Sequence, residues 1–122
     1  NDYYDIVDIL NEKYGEGNKY SEYMLKSKTF IPFCSYIMHY DDFESLCGFF
    51  FPILFEFDRR HGLNMNEESY WAKAEKDFRY DKKEYQCRAV SFLAERLISC
   101  YIVCNMKAVC VKALGTKLGY YD

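Results

Sequence analysis

The stretch "FESLCGFFFPILFEFDRR", residues 43–60, is long enough for about five turns of helix and is followed by Gly62. Asp41 and Asp42 precede it, and an aspartate oxygen can accept hydrogen bonds from the free amides of a first helical turn. Pro52 should kink this helix, because proline has no backbone donor. The phenylalanines are distributed around the helix at Phe49, Phe50, Phe51, Phe55 and Phe57. The sequence therefore predicts a helix that is buried on most sides.

Two shorter helices and a strand are predicted before this stretch. Residues 3–14 place apolar side chains on one helical face and end at a glycine, and residues 19–27 form a second helical segment. The segment around Pro32 is enriched in Phe, Tyr and Ile, which indicates a buried strand at 33–38. A single buried strand cannot satisfy its own backbone groups. Either a second short strand pairs with it, or the rest of the sheet lies outside this chain.

The C-terminal half is predicted to contain more helix. Residues 61–83 are the most polar and loop-like, although 67–78 have helical spacing. A long helix is expected from near residue 81 to residue 103 or 104. The predicted fold class is α+β and mostly helical, with about five helices and a minor strand component in one domain, 1–122.

The composition excludes several classes of protein. Half of the 122 residues are apolar and a fifth are aromatic, which is enough to form a hydrophobic core, so an intrinsically disordered chain is excluded. The net charge of −3 offers no basic patch, so nucleic acid is not expected as a partner. The most apolar run, 46–57, is interrupted by Pro52 and reaches Glu56, so no transmembrane segment is predicted.

The cysteines are predicted to be free thiols. Each lies inside an apolar or helical stretch, at Cys34, Cys47, Cys87, Cys100, Cys104 and Cys110. Cys100 and Cys104 are four residues apart and could hold a metal, but no second pair completes a ligand set. Buried free thiols indicate a reducing compartment, so the chain is expected in the cytoplasm. No cofactor is predicted for this chain itself.

Two stretches carry a resemblance to a known family. The segments "YDDFESLCGFFFPILFEFDRR" and "YQCRAVSFLAERL" resemble the C-terminal half of a bacterial glycosyltransferase domain from capsule, lipopolysaccharide and exopolysaccharide clusters, with galactofuranosyltransferase-like relatives. The similarity covers roughly residues 5–104. Ser91 and Tyr101 stand where the family shows Gly and Trp. The matching positions are Ile37, Met38, Phe43, Glu44, Cys47, Gln86, Arg88, Phe92, Glu95, Arg96 and Leu97.

The resemblance implies an acceptor-side half of a nucleotide-sugar glycosyltransferase. Such enzymes bind the nucleotide sugar in a preceding α/β half, where paired carboxylates hold a divalent metal and the diphosphate. That donor-binding half is not in this sequence, so the chain is expected to be a C-terminal fragment that is inactive alone. Its implied partners are the missing half, the nucleotide sugar and a glycan acceptor, at the inner face of the membrane. The aspartate pairs in "DYYD" and "HYDD" are interpreted as helix starts.

The candidate catalytic group is Glu95, with Arg88 as its neighbour. On a helix these residues are two turns apart on one face, and Phe92 lies between them. A carboxylate beside an acceptor hydroxyl can remove its proton, and a guanidinium can pair with a departing diphosphate. The resemblance adds Gln86 and Arg96 as substrate-binding residues.

A structural interpretation of the same pair is also open. Arg88 and Glu95 could belong to a buried ion-pair network that docks their helix on Glu56 or Asp58, because buried charges require partners. From the residues alone this interpretation is favoured.

Two further possibilities concern other residues and another class of function. Tyr70 and Trp71 could form a platform for a sugar ring, although a hydrophobic anchor for the 61–83 segment is favoured. His39 is interpreted as a surface or capping residue. The alternative to a glycosyltransferase is a small acidic, Tyr-rich protein-binding module, such as an immunity-type partner, that needs no catalytic residue.

Overall fold

The computed structural model describes residues 2–28, 30–31, 36–76 and 89–107. The prediction of a mostly helical fold is confirmed. The predicted end of one helix at Phe78 and the predicted start of another near residue 81 lie outside the described residues. The described helices are α1 (Asp2–Tyr14), α2 (Lys19–Lys26), α3 (Tyr40–Arg60), α4 (Glu67–Lys76) and α5 (Ala89–Asn105).

The strand expected at 33–38 is not seen where it can be checked. Residues 36–38 belong to neither helix nor strand, residues 33–35 lie outside the described ranges, and the described residues contain no strand. Ile37 is fully exposed. The backbone of Ile31 instead bonds to a side chain, the hydroxyl of Ser99, at 3.0 Å in both directions. Ile31 precedes the predicted strand, and its backbone groups are satisfied by a side chain rather than by a neighbouring strand.

Asn18 sets the turn between α1 and α2. Its side-chain oxygen accepts hydrogen bonds from the amides of Tyr20 and Ser21, both at 3.0 Å, which caps α2. Its side-chain amide donates to the carbonyl oxygen of Gly15 at 2.8 Å. Gly15 has a φ of +93°, a conformation that favours glycine. One side chain therefore fixes how α2 leaves α1.

The N-terminal end of α3 differs from the prediction, and its C-terminal end agrees with it. His39 occupies the N-cap position without a side-chain cap bond, and Asp41 and Asp42 lie inside the first turn. The prediction that one of these aspartates is the cap is wrong, although both still favour the positive end of the helix. At the other end, Gly62 follows the cap residue with a φ of +64°, as expected for a helix stop.

Only one side of α3 is buried. Phe49 and Phe57 are in the core, whereas Phe51 and Phe55 are 44% and 54% exposed. These two exposed rings stack on each other with centroids 5.8 Å apart. The prediction of burial on most sides is wrong, because α1 and α5 cover one face of α3. Phe51 and Phe55 are named here the phenylalanine pair.

α5 contacts both apolar clusters of the core. The smaller cluster consists of Leu46, Ile98 and Ile102, with Ile31, Tyr36 and Met38 packed against it. The larger cluster joins α1, α2, α3 and α5, and includes Ile6, Leu10, Met24, Phe49, Ile53, Phe57, Leu93, Leu97 and Cys100. α5 ends within two residues of the predicted position. Other elements therefore pack around α5, which fixes the direction of its polar side chains.

Two other expectations can be checked on the described helices. No helix among them is long and apolar enough to cross a bilayer. Cys47, Cys100 and Cys104 are free thiols, as predicted, and the other three cysteines lie outside the described residues. Burial raises the pKa of the Cys100 thiol, which keeps it protonated and unreactive.

Candidate functional site

Arg96 extends from α5 over the aromatic ring of Phe30. Its guanidinium carbon lies 4.3 Å from the ring centroid, a cation–π contact. The residue after this phenylalanine is Ile31, whose backbone is bonded to Ser99. Arg96 is exposed, and no carboxylate of the described residues forms an ion pair with it. Within the described part of the chain, this guanidinium is a solvent-exposed positive charge that packs on the ring of Phe30.

Two tyrosines lie within the electrostatic reach of this guanidinium. Burial raises the pKa of Tyr3 and of Tyr23, and the charge of Arg96 partly offsets the rise in both. Tyr3 donates its hydroxyl hydrogen bond to the carbonyl oxygen of Met24. Both phenols stay protonated at neutral pH. An anionic ligand group at Arg96 would therefore meet a guanidinium without competing negative charge from these phenols.

Glu95 is half-buried on the adjacent position of α5. Phe92, Glu95 and Ser99 are spaced three and four residues apart, so they follow one face of the helix. That face is directed to the segment containing Ile31, because Ser99 bonds to its backbone. The helix therefore holds Glu95 partly out of water.

The structural alternative for Arg88 involves acids that already have partners. Glu56 accepts hydrogen bonds from Arg59 at 2.6 Å and from Arg60 at 2.9 Å. These bonds lower the pKa of Glu56 to about 2. Arg88 and Gln86 lie outside the described residues, so the predicted Arg88–Glu95 pair stays a prediction.

The second α3 acid, Asp58, is buried and holds the loop that leads to α4. Its carboxylate accepts hydrogen bonds from the backbone nitrogen of Met65 at 3.1 Å and from the hydroxyl of Tyr70 at 2.8 Å. Burial and this carboxylate together raise the pKa of Tyr70. Tyr70 therefore acts as an anchor, though through its hydroxyl group rather than through apolar contact alone.

Trp71 is the second aromatic residue of this segment. It lines a surface cavity of about 320 Å³ together with Met65, Glu67 and Tyr70. Trp71 is half-buried, while Met65 and Glu67 are exposed. The two aromatic residues thus line one cavity, and Tyr70 in addition anchors the loop through its hydroxyl group.

A cluster at the junction of α1 and α3 was not anticipated. Possible ligand atoms of Asp2, Asp5 and His61 all lie within 4.8 Å of one another, and no other such group of three occurs among the described residues. From the sequence, these aspartates are interpreted only as a helix start. Their spacing of three on a helix was the available signal, but His61 is far away in the chain and no local pattern connects it to them.

The cluster is already occupied by ion pairs. The Lys73 ammonium lies 2.7 Å from an Asp2 oxygen, and His61 Nε2 lies 2.9 Å from an Asp5 oxygen. A cation bonded to one of the carboxylates disfavours a divalent metal, so the metal implied for the complete enzyme is not assigned here. These contacts tie α1 to the end of α3 and to α4, and are named here the α1 ion pairs: Asp2–Lys73, Asp5–His61 and Glu12–Arg60.

Comparison with known proteins gives one match. Residues 1–106 match a family model described as Domain of unknown function (DUF4422). The chain belongs to this family. No curated protein and no solved structure matches it. The DUF4422 match includes all five described helices and the four candidate site residues, Gln86, Arg88, Glu95 and Arg96.

The DUF4422 description names no activity. The roles of Glu95 and Arg96 therefore have to be argued from their surroundings and from the motifs that contain them. Both residues lie on α5, which belongs to the DUF4422 core rather than to the segment beyond residue 106.

Proposed function

We propose that this chain is the C-terminal, acceptor-side portion of a glycosyltransferase. The complete enzyme moves a sugar from a nucleotide-sugar donor to a growing cell-surface polysaccharide, and this portion alone is inactive. Support comes from two motifs similar to those of capsule and lipopolysaccharide glycosyltransferases. The first lies on α3 and the described part of the second, from Ala89 onward, lies on α5, and these two helices pack together. The observation that carries the proposal is the exposed Arg96 guanidinium on Phe30, next to the half-buried Glu95.

Glu95 is the proposed general base. Its carboxylate accepts the proton of an acceptor hydroxyl while that hydroxyl oxygen attacks the anomeric carbon of the donor sugar. The bond from the anomeric carbon to the diphosphate oxygen breaks, and the nucleoside diphosphate leaves with the electron pair. Arg96 and Arg88 stabilise the negative charge on the leaving diphosphate, and Gln86 contributes to substrate binding.

The remaining parts of the reaction belong to the proposed donor-binding half. That half supplies the nucleotide-sugar site and, where one is used, the divalent metal with its carboxylates. The described residues of this chain offer a single cation and a single half-buried acid on α5, which suits the acceptor side of the reaction. The proposed location is the cytoplasm, at the inner face of the membrane, where nucleotide sugars and a lipid-linked glycan meet.

The test is a transfer assay on the natural polypeptide that carries this domain. It measures incorporation of labelled sugar from a panel of UDP-hexoses into polysaccharide on membranes of the producing organism. Arg96→Gln is expected to lower kcat/KM about 100-fold, and Arg96→Lys less, because lysine keeps the charge but not the planar fork. Arg59→Gln removes another exposed arginine and should leave the rate unchanged. Full activity of the Arg96→Gln variant would show that Arg96 has no role in transfer. Failure of the unmodified natural polypeptide to transfer sugar from any of these donors would contradict the proposal.

The phenylalanine pair favours a second candidate function. Two stacked, half-exposed rings on one helix are typical of a contact surface for another protein. A protein-binding module of the immunity type would use this surface and would need neither Glu95 nor Arg96. Phe51→Ser with Phe55→Ser should then abolish binding of a co-encoded partner, while Arg96→Gln leaves that binding intact. If the double variant still binds the partner, the protein-binding function is contradicted and the glycosyltransferase proposal is favoured.

A further inference from the structure

The cavity beside Trp71 has the composition of a small carbohydrate site. Its volume of about 320 Å³ is at the lower end of the range found for small-molecule pockets. The lining combines one indole ring, one thioether, one phenol and one carboxylate, which are Trp71, Met65, Tyr70 and Glu67. Most of this lining is apolar, with one charged group that can orient a ligand.

The wall of the cavity is held in a fixed conformation. Asn64 and Met65 adopt positive φ angles of 53° and 52°, which are uncommon for residues other than glycine. The buried Asp58 stabilises this backbone by accepting the Met65 amide, and it also fixes the hydroxyl of Tyr70. Leu63 donates to the carbonyl of Asp58 at 3.0 Å. Ligand binding at such a wall costs little ordering of the loop.

We infer that this cavity binds a single neutral sugar ring of the glycan acceptor. The indole face of Trp71 packs against the apolar C–H face of a pyranose, as aromatic faces do with apolar partners. The carboxylate of Glu67 accepts hydrogen bonds from ring hydroxyls, and such charge-assisted bonds are stronger than neutral ones. Among the residues that the structure describes, no basic side chain lines the cavity. Uronic acids and sugar phosphates are therefore disfavoured, in contrast to the site at Arg96.

The identity of the ligand as an acceptor glycan rests on the proposed function, whereas sugar binding itself does not. The site would give the acceptor a second contact, away from the reacting hydroxyl. If this contact is equally strong in the ground state and the transition state, its loss raises KM and leaves kcat unchanged. The same cavity would still bind the sugar if the chain had no part in transfer.

The experiment uses the chain's single tryptophan, Trp71, as the reporter. Titration with methyl β-D-galactopyranoside or methyl β-D-glucopyranoside should change its fluorescence saturably, with half-saturation at about 1–10 mM. D-glucuronate should bind at least about tenfold more weakly, because its carboxylate meets Glu67. Glu67→Gln should weaken binding of the neutral glycosides about threefold to tenfold.

The tryptophan itself is tested by saturation-transfer NMR on the same glycosides. Trp71→Ala should lose the ligand signal while its circular dichroism spectrum stays native, and Phe55→Ala, another exposed aromatic, should keep the signal. A signal that is equal in the wild type and Trp71→Ala, or no saturable change up to about 100 mM, overturns the inference. If the chain binds sugar but the natural polypeptide transfers none, the sugar site is supported and the glycosyltransferase proposal is contradicted. If the natural polypeptide transfers sugar but this cavity binds none, the glycosyltransferase proposal is supported and the sugar site is contradicted.

Discussion

The hydroxyl of Ser99 accepts a hydrogen bond from the backbone nitrogen of Ile31 and donates one to its carbonyl oxygen, both at 3.0 Å. Ser99 is completely buried on α5. One side chain thus serves both backbone groups of a residue in an irregular segment. This contact fixes the segment that carries Phe30, and through it the ring beneath Arg96.

Ser99→Ala is expected to lower the free energy of unfolding by about 1–3 kcal/mol, because two buried backbone bonds lose their partner. Urea unfolding followed by circular dichroism measures the change. Ser45→Ala, at an exposed position of α3, is the matched control and should stay within about 0.5 kcal/mol of the wild type. Equal stability of both variants would show that water replaces the Ser99 hydroxyl.

Glu95→Gln separates a catalytic role from a structural one. If Glu95 is the general base, the change should abolish transfer in the natural polypeptide and leave the melting temperature of this domain nearly unchanged. If it belongs to a buried ion pair, the change should cost about 3 kcal/mol by leaving an arginine unpaired. Glu44→Gln, an exposed glutamate on α3, provides the control. Normal transfer together with a large loss of stability would leave only the structural role.

Alkaline pH should destabilise the fold through four phenols that are partly shielded from water. The pKa values of Tyr3, Tyr14, Tyr23 and Tyr70 are all raised, chiefly by burial. The folded state therefore holds these protons more tightly than the unfolded state. This stabilising effect is fully present below the ordinary tyrosine pKa of about 10 and is lost as pH rises above it.

Tyr70→Phe checks the alkaline prediction at one residue. At pH 7 the variant should lose about 1.5–3 kcal/mol, because the buried Asp58 carboxylate loses a hydrogen bond. Between about pH 9 and pH 11 the difference from the wild type should shrink, since the variant has no phenol to ionise. Thermal melts at several pH values measure both. A difference that grows with pH would contradict the assignment of the raised pKa to Tyr70.

The isolated chain should bind divalent metal only weakly at the cluster of Asp2, Asp5 and His61. Lys73 and His61 already contact the two carboxylates. Addition of about 1 mM Mn²⁺ should therefore shift the melting temperature by less than about 1 °C. Lys73→Met is the informative variant, because it removes the competing cation. A clear stabilisation of the wild type by Mn²⁺ would show that the metal displaces Lys73.

Sequence patterns predicted the helices well where apolar spacing and turn residues coincide. α1 and α2 have this combination, with the turn residues Gly15 and Asn18 between them. Residues 36–38, the described part of the predicted strand, form no strand, because residue preferences do not decide whether a pairing neighbour is present. Ile37 is fully exposed, so burial was not predicted correctly at that position either. The burial of α3 was overestimated because the number of phenylalanines does not reveal which ones neighbouring helices cover, and Phe51 and Phe55 face outward.

The candidate site was only partly accessible from the sequence. Glu95 is half-buried on α5, and its catalytic role and its pairing with Arg88 stay predictions. The contact between Arg96 and Phe30 joins distant parts of the chain, so local spacing carried no signal for it. The cavity at Trp71 depends on the left-handed backbone conformation of Asn64 and Met65. The sequence offered no reason to predict that conformation at these two positions.

The α1 ion pairs also bear on the kinetics of folding. They join residues 48, 56 and 71 positions apart in the chain, so each requires a long loop to close before it can form. Contacts of this kind form after the rate-limiting step when they lie at the periphery of the core. Breaking the Glu12–Arg60 pair should then leave the refolding rate nearly unchanged and speed unfolding. The pairs are therefore expected to slow the unfolding of the domain rather than to speed its folding.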